Sequence, residues 1–384
     1  MDRLAALGLA AFALLYGVPV SAAAGDALPV AVASVSAETP ISAGGGWLLW
    51  SVPANGGWRL EAYHDGRVEA LAVPARRAPF DVSVGTNAQG AAVATFSRCA
   101  RTPIMRDVGE TQAIGGSLMD PRTGAGCRLR VLALASGRES QPRIPHPRGS
   151  SDTTPSMWHG SIAFARRAPG HGEVWQVMLW SPRHPRSVAT LRHGAIPSHC
   201  PFEPGGCSAR PAYGEVEALD RDGGLVTFLW AVEGPGVAGE GAWEVRVDNL
   251  ANGRSRLAEA GFGHEACTGP ANGLEYVWPE APIADGALVL FPPLVGFNCF
   301  RSFASVLGGY RPGARHASAG EFADVVLGMA RDGDSFYGLV PPPAQRDADS
   351  PSCSATEPCT LEQISEPALT VEKPSPVSPF LQSQ

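Results

Sequence analysis

The stretch ALDRDGGLVTFLW, residues 218–230, places two aspartates and two glycines directly before an apolar run. Such a core is typical either of a tight turn between two strands or of a calcium-binding loop. The spacing excludes the calcium loop. Counted from Asp220 as position 1, the first glycine falls at position 4 instead of 6, and position 12 is Ala231 instead of glutamate. The stretch therefore predicts a β-hairpin.

The same pattern, a glycine turn followed by an apolar run with an aromatic residue, occurs six times along the chain. The copies are ISAGGGWLLWSV (41–52), VGTNAQGAAVATF (84–96), PSMWHGSIAFA (155–165), ALDRDGGLVTFLW (218–230), PIADGALVLF (282–291) and GMARDGDSFYGLV (328–340). Alternating strands such as WEVRVDNL (243–250) follow them. Buried inner strands and more polar outer strands are typical of propeller blades. We predict an all-β fold, a six-bladed β-propeller of four-stranded antiparallel blades over residues 27–373. Two sandwich domains are the alternative.

The hairpin core resembles the blade repeat of the TolB/WD40-like β-propeller superfamily, in which Ser-Pro-Asp-Gly precedes a hydrophobic strand. DRDGGLVTF and ARDGDSFYG come closest, NAQGAAVATF and ADGALVLF are degenerate, and no copy retains the Ser-Pro. The resemblance implies the fold and no particular activity.

The two ends of the chain carry separate expectations. Residues 1–24 resemble a signal peptide, with Arg3, an apolar run from Leu4 to Val20 and small residues before the cleavage site; an uncleaved anchor is the alternative. The strand ALPVAVASV (27–35) is expected to pair beside ALTVEK (368–373) and close the ring. Residues 374–384 are expected to form a flexible tail.

Composition narrows the class of protein. The apolar fraction of 44% is enough for a core, and 45 glycines with 35 prolines favour many short elements joined by turns. The net charge of −7 with scattered basic residues indicates no nucleic-acid partner. We expect a monomer that is secreted or held in the cell envelope.

The longest connections fall on one face of the predicted propeller, opposite the hairpin turns. They are 97–126, 145–155, 192–213, 261–281, 292–301 and 341–358. Six of the eight cysteines lie in these connections, and Cys127 and Cys359 directly follow two of them. None forms a C-x-x-C pair, so an exported protein should use them as disulfides. Topology predicts the pairs Cys99–Cys127, Cys200–Cys207, Cys267–Cys299 and Cys353–Cys359.

Catalytic motifs are absent from the sequence. There is no G-x-S-x-G, and HEACT (264–268) has Thr268 where a zinc protease needs its second histidine. We therefore expect no metal, no cofactor and no catalytic residue. Seven tryptophans are expected in the core, namely Trp47, Trp50, Trp58, Trp175, Trp180, Trp230 and Trp243.

The predicted function is non-catalytic binding of a protein or cell-envelope ligand through the disulfide-clamped face. Its candidate residues are Trp278, Tyr276 and Glu280 in one connection and the basic cluster Arg98, Arg101 and Arg106 in another. The alternative is an extracytoplasmic hydrolase, or a lactonase-like or quinone-dependent dehydrogenase-like enzyme, with its site at the mouth of the channel.

Overall fold

The structure is a computed structural model. It describes residues 30–105, 119–120, 124–169, 175–193, 214–233, 241–263, 275–279, 281–286, 288–291, 293–297, 302–314, 317–322, 324–346 and 352–372. The expected signal segment, the expected tail and the cysteine pairs Cys200–Cys207 and Cys267–Cys299 lie outside these residues.

Nearly all regular structure is β-strand. The strands of the first half are β1 (Val30–Val35), β2 (Ile41–Gly44), β3 (Trp47–Ala54), β4 (Gly57–His64), β5 (Arg67–Ala70), β6 (Ser83–Thr86), β7 (Ala92–Arg98), β8 (Ile104–Met105), β9 (Met119–Asp120), β10 (Arg128–Ala133), β11 (Arg138–Ser140), β12 (Ser151–Trp158), β13 (Ser161–Arg167), β14 (Trp175–Trp180) and β15 (Val188–His193). Those of the second half are β16 (Gly214–Asp222), β17 (Leu225–Glu233), β18 (Gly241–Asn249), β19 (Arg254–Gly263), β20 (Glu275–Pro279), β21 (Ile283–Asp285), β22 (Leu288–Phe291), β23 (Pro293–Phe297), β24 (Ser302–Tyr310), β25 (Ser318–Glu321), β26 (Met329–Asp332), β27 (Ser335–Val340), β28 (Cys359–Ile364) and β29 (Val371–Glu372). A 3-10 helix (Leu134–Ser136) and the short helix α1 (Pro343–Arg346) complete the described elements.

The strands form the six four-stranded antiparallel blades of a β-propeller, as predicted. From the innermost strand outward, the blades are β2-β3-β4-β5, β6-β7-β10-β11, β12-β13-β14-β15, β16-β17-β18-β19, β21-β22-β24-β25 and β26-β27-β28-β1. Each of the six quoted hairpins supplies the two inner strands of one blade. In the opening stretch, Asp222 pairs with Leu225 across the turn and Gly223 has a φ of 56°, which favours glycine.

The core lies between the blades. Six apolar clusters of described residues each join two neighbouring blades, so that every one of the six interfaces has its own. Trp50 of β3 and Trp175 of β14 are fully buried in two of them. Each large side chain buried in this way contributes about 1.5–3 kcal/mol. Six of the seven tryptophans expected in the core are buried, which confirms that expectation for them. The side chain of the seventh, Trp243, is not described.

The ring closes between β1 and β28, where Ser34 pairs with Thr360. The predicted closure against ALTVEK is therefore wrong. The strand β28 pairs with β27 on one edge, which leaves its other edge for β1. The ALTVEK segment supplies β29 instead, which pairs with β25 of the fifth blade. It can lie there because Gly320 has no side chain: a Cβ at that position would collide with the carbonyl of Ala368.

Two disulfides lie at strand ends opposite the hairpin turns. Cys99 follows β7 and bonds to Cys127 directly before β10, while Cys353 bonds to Cys359 at the start of β28. Both pairs were predicted from topology. No helix within the described residues is long and apolar enough to cross a membrane.

Candidate functional site: the central channel

The six innermost strands enclose a central channel with a cavity of about 440 Å³. Among the described residues, seven carboxylates and two arginines line it: Glu38, Asp81, Glu217, Asp220, Asp222, Asp285, Asp332, Arg221 and Arg331. A volume of this size is in the range of small-molecule sites. The channel is therefore a concave, acidic candidate site, and its two ends differ.

At the hairpin-turn end, aspartates tie neighbouring blades together. Asp332 accepts hydrogen bonds from the amides of Gly45 (3.1 Å) and Gly46 (2.6 Å) of the first blade. Asp222 accepts one from the amide of Gly286 at 2.6 Å in the fifth blade. Each of these two carboxylates therefore links its own blade to the neighbouring blade by hydrogen bonds to backbone amides.

One layer deeper, a polar chain crosses three blade interfaces. The hydroxyl of Ser83 donates to Ser156 (3.2 Å), whose hydroxyl donates to Asp220 (2.8 Å). The other carboxylate oxygen of Asp220 accepts the amide of Ala284 at 2.9 Å. Burial raises the pKa of Asp220 to about 6, although these hydrogen bonds favour its charged form. Asp220 is thus a structural link and also a partly accessible acid in the channel.

At the long-loop end, Glu38 lies in the connection between β1 and β2. Burial raises the pKa of its carboxyl group to about 7, and no hydrogen bond or ion pair joins it to the described residues. Asp81, in contrast, is held by an ion pair with Arg76 at 3.0 Å and by the amide of Thr154. Glu38 is therefore the unpartnered acid at this end of the channel.

The third blade contributes a strained bulge to the same end. The register of β12 against β13 shifts between Thr153 and Ser156, and Thr154 has a φ of 45°, unusual for a β-branched residue. The hydroxyls of Thr153 and Thr154 are buried without a hydrogen-bond partner. Both residues line the cavity. Backbone strain and unsatisfied polar atoms are typical of binding sites.

Arg221 lines the channel near the hairpin-turn end. Its side chain lies over the ring of Trp158, with 5.9 Å between the guanidinium carbon and the ring centroid. Burial lowers its pKa to about 10, and neighbouring Asp222 opposes that change. No group of described histidines, cysteines and carboxylates has the arrangement of a metal site.

Neither Arg98 nor Arg101 is among the described residues that line the channel. Arg98 forms an ion pair with Glu139 at 2.8 Å and stacks on Phe96. Arg101 forms a backbone bridge with Ala125 inside the disulfide-clamped loop, and Arg106 lies outside the described residues. Their proposed role in binding stays a prediction.

Two residues of the second nominated group belong to a strand that extends the fifth blade. Tyr276 and Trp278 are in β20, a strand that pairs with β23, so this connection is not a plain loop. Glu280 and both aromatic side chains are not described. Their role in binding also stays a prediction.

The sequence contained only weak signals for the channel residues. Asp220 and Arg221 were visible as members of a turn motif, but their partners Ser156 and Trp158 are in another blade. Glu38 lies in an unremarkable connection, and only the closed ring shows that it faces the cavity. A periodic search for inward-facing polar residues in the six hairpins could have found the first two.

No protein-family model matches the chain, and no curated protein matches it. The TolB/WD40-like resemblance is therefore unconfirmed at the family level.

Among solved structures, the chain is similar to a PL25 polysaccharide lyase, an ulvan lyase, with 9% identity, a TM-score of 0.45 and coverage of 90% of this chain and 85% of that one. It is also similar to the propeller domain of the Trilobed protease from Pyrococcus furiosus, with 11% identity, a TM-score of 0.36 and coverage of 88% and 99%. An oligogalacturonate lyase in complex with manganese matches with 9% identity, a TM-score of 0.38 and coverage of 88% and 97%. Likenesses at this level give no information about what this chain does.

Proposed function

We propose that the protein is an extracytoplasmic binding propeller that holds a small, positively charged ligand in the long-loop half of its central channel. The observation that carries the proposal is Glu38, a carboxyl group that lines the cavity without a partner among the described residues. A cationic group of a ligand would supply the missing partner and form a charge-assisted hydrogen bond.

The rest of the channel supports the sign of that charge. Carboxylates outnumber arginines in its described lining, and a cleft lined by one sign of charge raises the local concentration of ligands of the opposite sign. The unsatisfied hydroxyls of Thr153 and Thr154 add two polar groups at the same end. These features favour an organic amine with further polar groups.

The disulfides support a location outside the cytoplasm. Bonds such as Cys99–Cys127 and Cys353–Cys359 persist in oxidising compartments and are rare in the cytosol. Export through the N-terminal segment, a monomeric state and a protein or envelope partner on the long-loop face belong to the same proposal.

The test is calorimetric titration with a panel of simple amines, beginning with putrescine and ethylammonium. Glu38→Gln should weaken amine binding about 10- to 100-fold, since it removes a charge-assisted hydrogen bond. The matched control is Glu69→Gln, which changes an exposed glutamate of β5. Equal binding by wild type and Glu38→Gln would refute the proposal, and so would the absence of binding across the panel.

The pH dependence gives a second measurement in the same experiment. A cation favours the ionised form of Glu38, whose pKa in the free protein is about 7, so binding should release protons. The affinity of wild type should rise about 10-fold between pH 6 and pH 8. Glu38→Gln should remove this rise.

The second candidate function is acid–base catalysis in the same channel. The specific observation is that burial raises the pKa of Glu38 to about 7 and of Asp220 to about 6, where a carboxyl group can both donate and accept protons at neutral pH. Mass spectrometry of a bound amine or glycoside after incubation distinguishes the two functions. A binding protein returns the ligand unchanged, whereas catalysis gives a product whose formation stops in Glu38→Gln.

A further inference from the structure

Arg221 is a largely buried cation that forms no ion pair with a described residue, although the charge of neighbouring Asp222 favours its charged form. The residue is only 9% exposed, and neither Nε nor Nη1 has a hydrogen-bond partner among the described residues. Its guanidinium group stacks over the ring of Trp158. The residue lies in the wall of the cavity, so a molecule in the channel can approach it.

The carboxylates on either side of Arg221 in the sequence accept hydrogen bonds from other groups. Asp222 accepts the amide of Gly286, and Asp220 accepts from Ser156 and from the amide of Ala284. Arg331, the other arginine of the channel, differs from Arg221 in having ion pairs with Asp285 and Glu366. Arg221 is therefore the channel arginine that, among the described residues, has no direct ion pair.

A guanidinium taken out of water without an anion is costly to the folded protein. Stacking on tryptophan offsets only part of this cost. An anion that enters the channel would offset much more, because its hydrogen bonds to the guanidinium are charge-assisted. The guanidinium of Arg221 is therefore placed where it can bind an anion in the channel.

We propose that Arg221 binds a carboxylate group of the ligand, so that the ligand of the channel is a zwitterion with a carboxylate at the hairpin-turn end and an amine at the end of Glu38. A carboxylate fits better than a phosphate because the surrounding aspartates repel a second negative charge more strongly. The proposal rests on the channel as the binding site and adds the class of ligand to it.

The two ends are far enough apart to limit the ligand. Arg221 is one residue from the hairpin turn, whereas Glu38 precedes the first inner strand. At about 3.3 Å per extended residue, the five residues that follow Glu38 separate the two levels by at most roughly 17 Å. A linear ω-amino acid or a short peptide reaches both ends, and a single α-amino acid reaches only one.

The experiment measures thermal unfolding midpoints at neutral pH in sodium acetate and in sodium chloride, each at about 0.1 M so that screening is equal. Acetate should raise the midpoint of wild type by at least about 2 °C over chloride. Arg221→Met should remove this difference. In chloride it should be at least as stable as wild type, because it removes a buried charge that has no direct ion pair. Arg331→Lys, at a paired arginine of the same channel, should keep the acetate response.

Three results would overturn the proposal. One is an acetate response that survives in Arg221→Met, and another is a large loss of stability in that variant in chloride, which would make Arg221 structural. The third is a phosphate response, also dependent on Arg221, that exceeds the acetate response and so excludes the carboxylate. A failed amine titration with an intact acetate response would refute the amine site at Glu38 and leave Arg221 as an anion site.

Discussion

At the scale of single residues, the channel contains two carboxyl groups whose charged form is disfavoured by burial. Burial raises the pKa of Glu38 from 4.5 to about 7 and that of Asp220 from 3.8 to about 6. A carboxyl group with a raised pKa stabilises the folded state fully below its unfolded pKa, and this contribution is lost as the pH rises through the folded pKa. For Glu38, this contribution to the stability of the folded state is lost between about pH 4.5 and pH 7.

The protein should therefore be more stable at pH 5 than at pH 8, and Glu38→Gln should flatten that difference. The contribution of Glu38 is roughly 1–3 kcal/mol, since each unit of pKa change corresponds to about 1.4 kcal/mol. Urea unfolding at the two pH values measures it, with Glu69→Gln as the exposed control. If Glu38→Gln keeps the full pH dependence of wild type, the burial of this carboxyl group does not control stability.

Three consecutive residues of the opening stretch show what local sequence can and cannot predict. The hairpin turn was predictable because aspartate and glycine favour it, and the structure has that turn. The separate roles of Asp220, Arg221 and Asp222 were not predictable, because their partners are in the third and fifth blades. Side-chain direction alternates along a strand, so neighbours in sequence contact different blades.

At the scale of elements, the hairpin of the sixth blade holds the first blade through one side chain. Asp332→Ala should lower the free energy of unfolding by roughly 0.5–1.5 kcal/mol, because water then replaces the carboxylate that accepts from the exposed amides of Gly45 and Gly46. Asp334→Ala is the matched control, since Asp334 is exposed in the same turn. Chemical denaturation of both variants measures the difference. Equal losses would show that the effect comes from the turn and not from the contact between blades.

Elements with a repeated pattern were predicted well, and those that depart from it were not. The six hairpins and both described disulfides followed from spacing and topology. The strand β20 was expected as a connection, because Trp278 and its neighbours have no hairpin signal. It forms by pairing with β23, and this extension of the fifth blade depends on partners that lie 14 to 22 residues further along the chain.

At the scale of the whole molecule, the channel exists only because the ring is closed. The first and sixth blades share an apolar cluster in which Leu48 and Trp50 pack against Leu339 and Leu361. The closing strand β1 adds Val35 to the same cluster. The sequence predicted that an N-terminal strand closes the ring but indicated the wrong partner strand. Both ALTVEK (368–373) and CTLEQI (359–364, the strand β28) have strand-like patterns. Only the packing of the whole chain distinguishes them.

A cross-link tests that closure directly. Ser34 and Thr360 lie opposite each other in β1 and β28, so the double variant Ser34→Cys, Thr360→Cys should form a disulfide that joins the two ends of the ring. The chain-entropy relation gives roughly 6 kcal/mol for so long a loop and roughly 2.5 kcal/mol for a control bond between Glu61→Cys and Ala70→Cys, which are paired within the first blade. Peptide mapping establishes the bond, and unfolding with and without reductant measures its effect. Free thiols at 34 and 360, or a gain no larger than that of the control, would contradict the closure. A larger gain would confirm that β1 closes the ring against β28, and that this closure joins the two ends of the chain around the channel that Glu38 and Arg221 share.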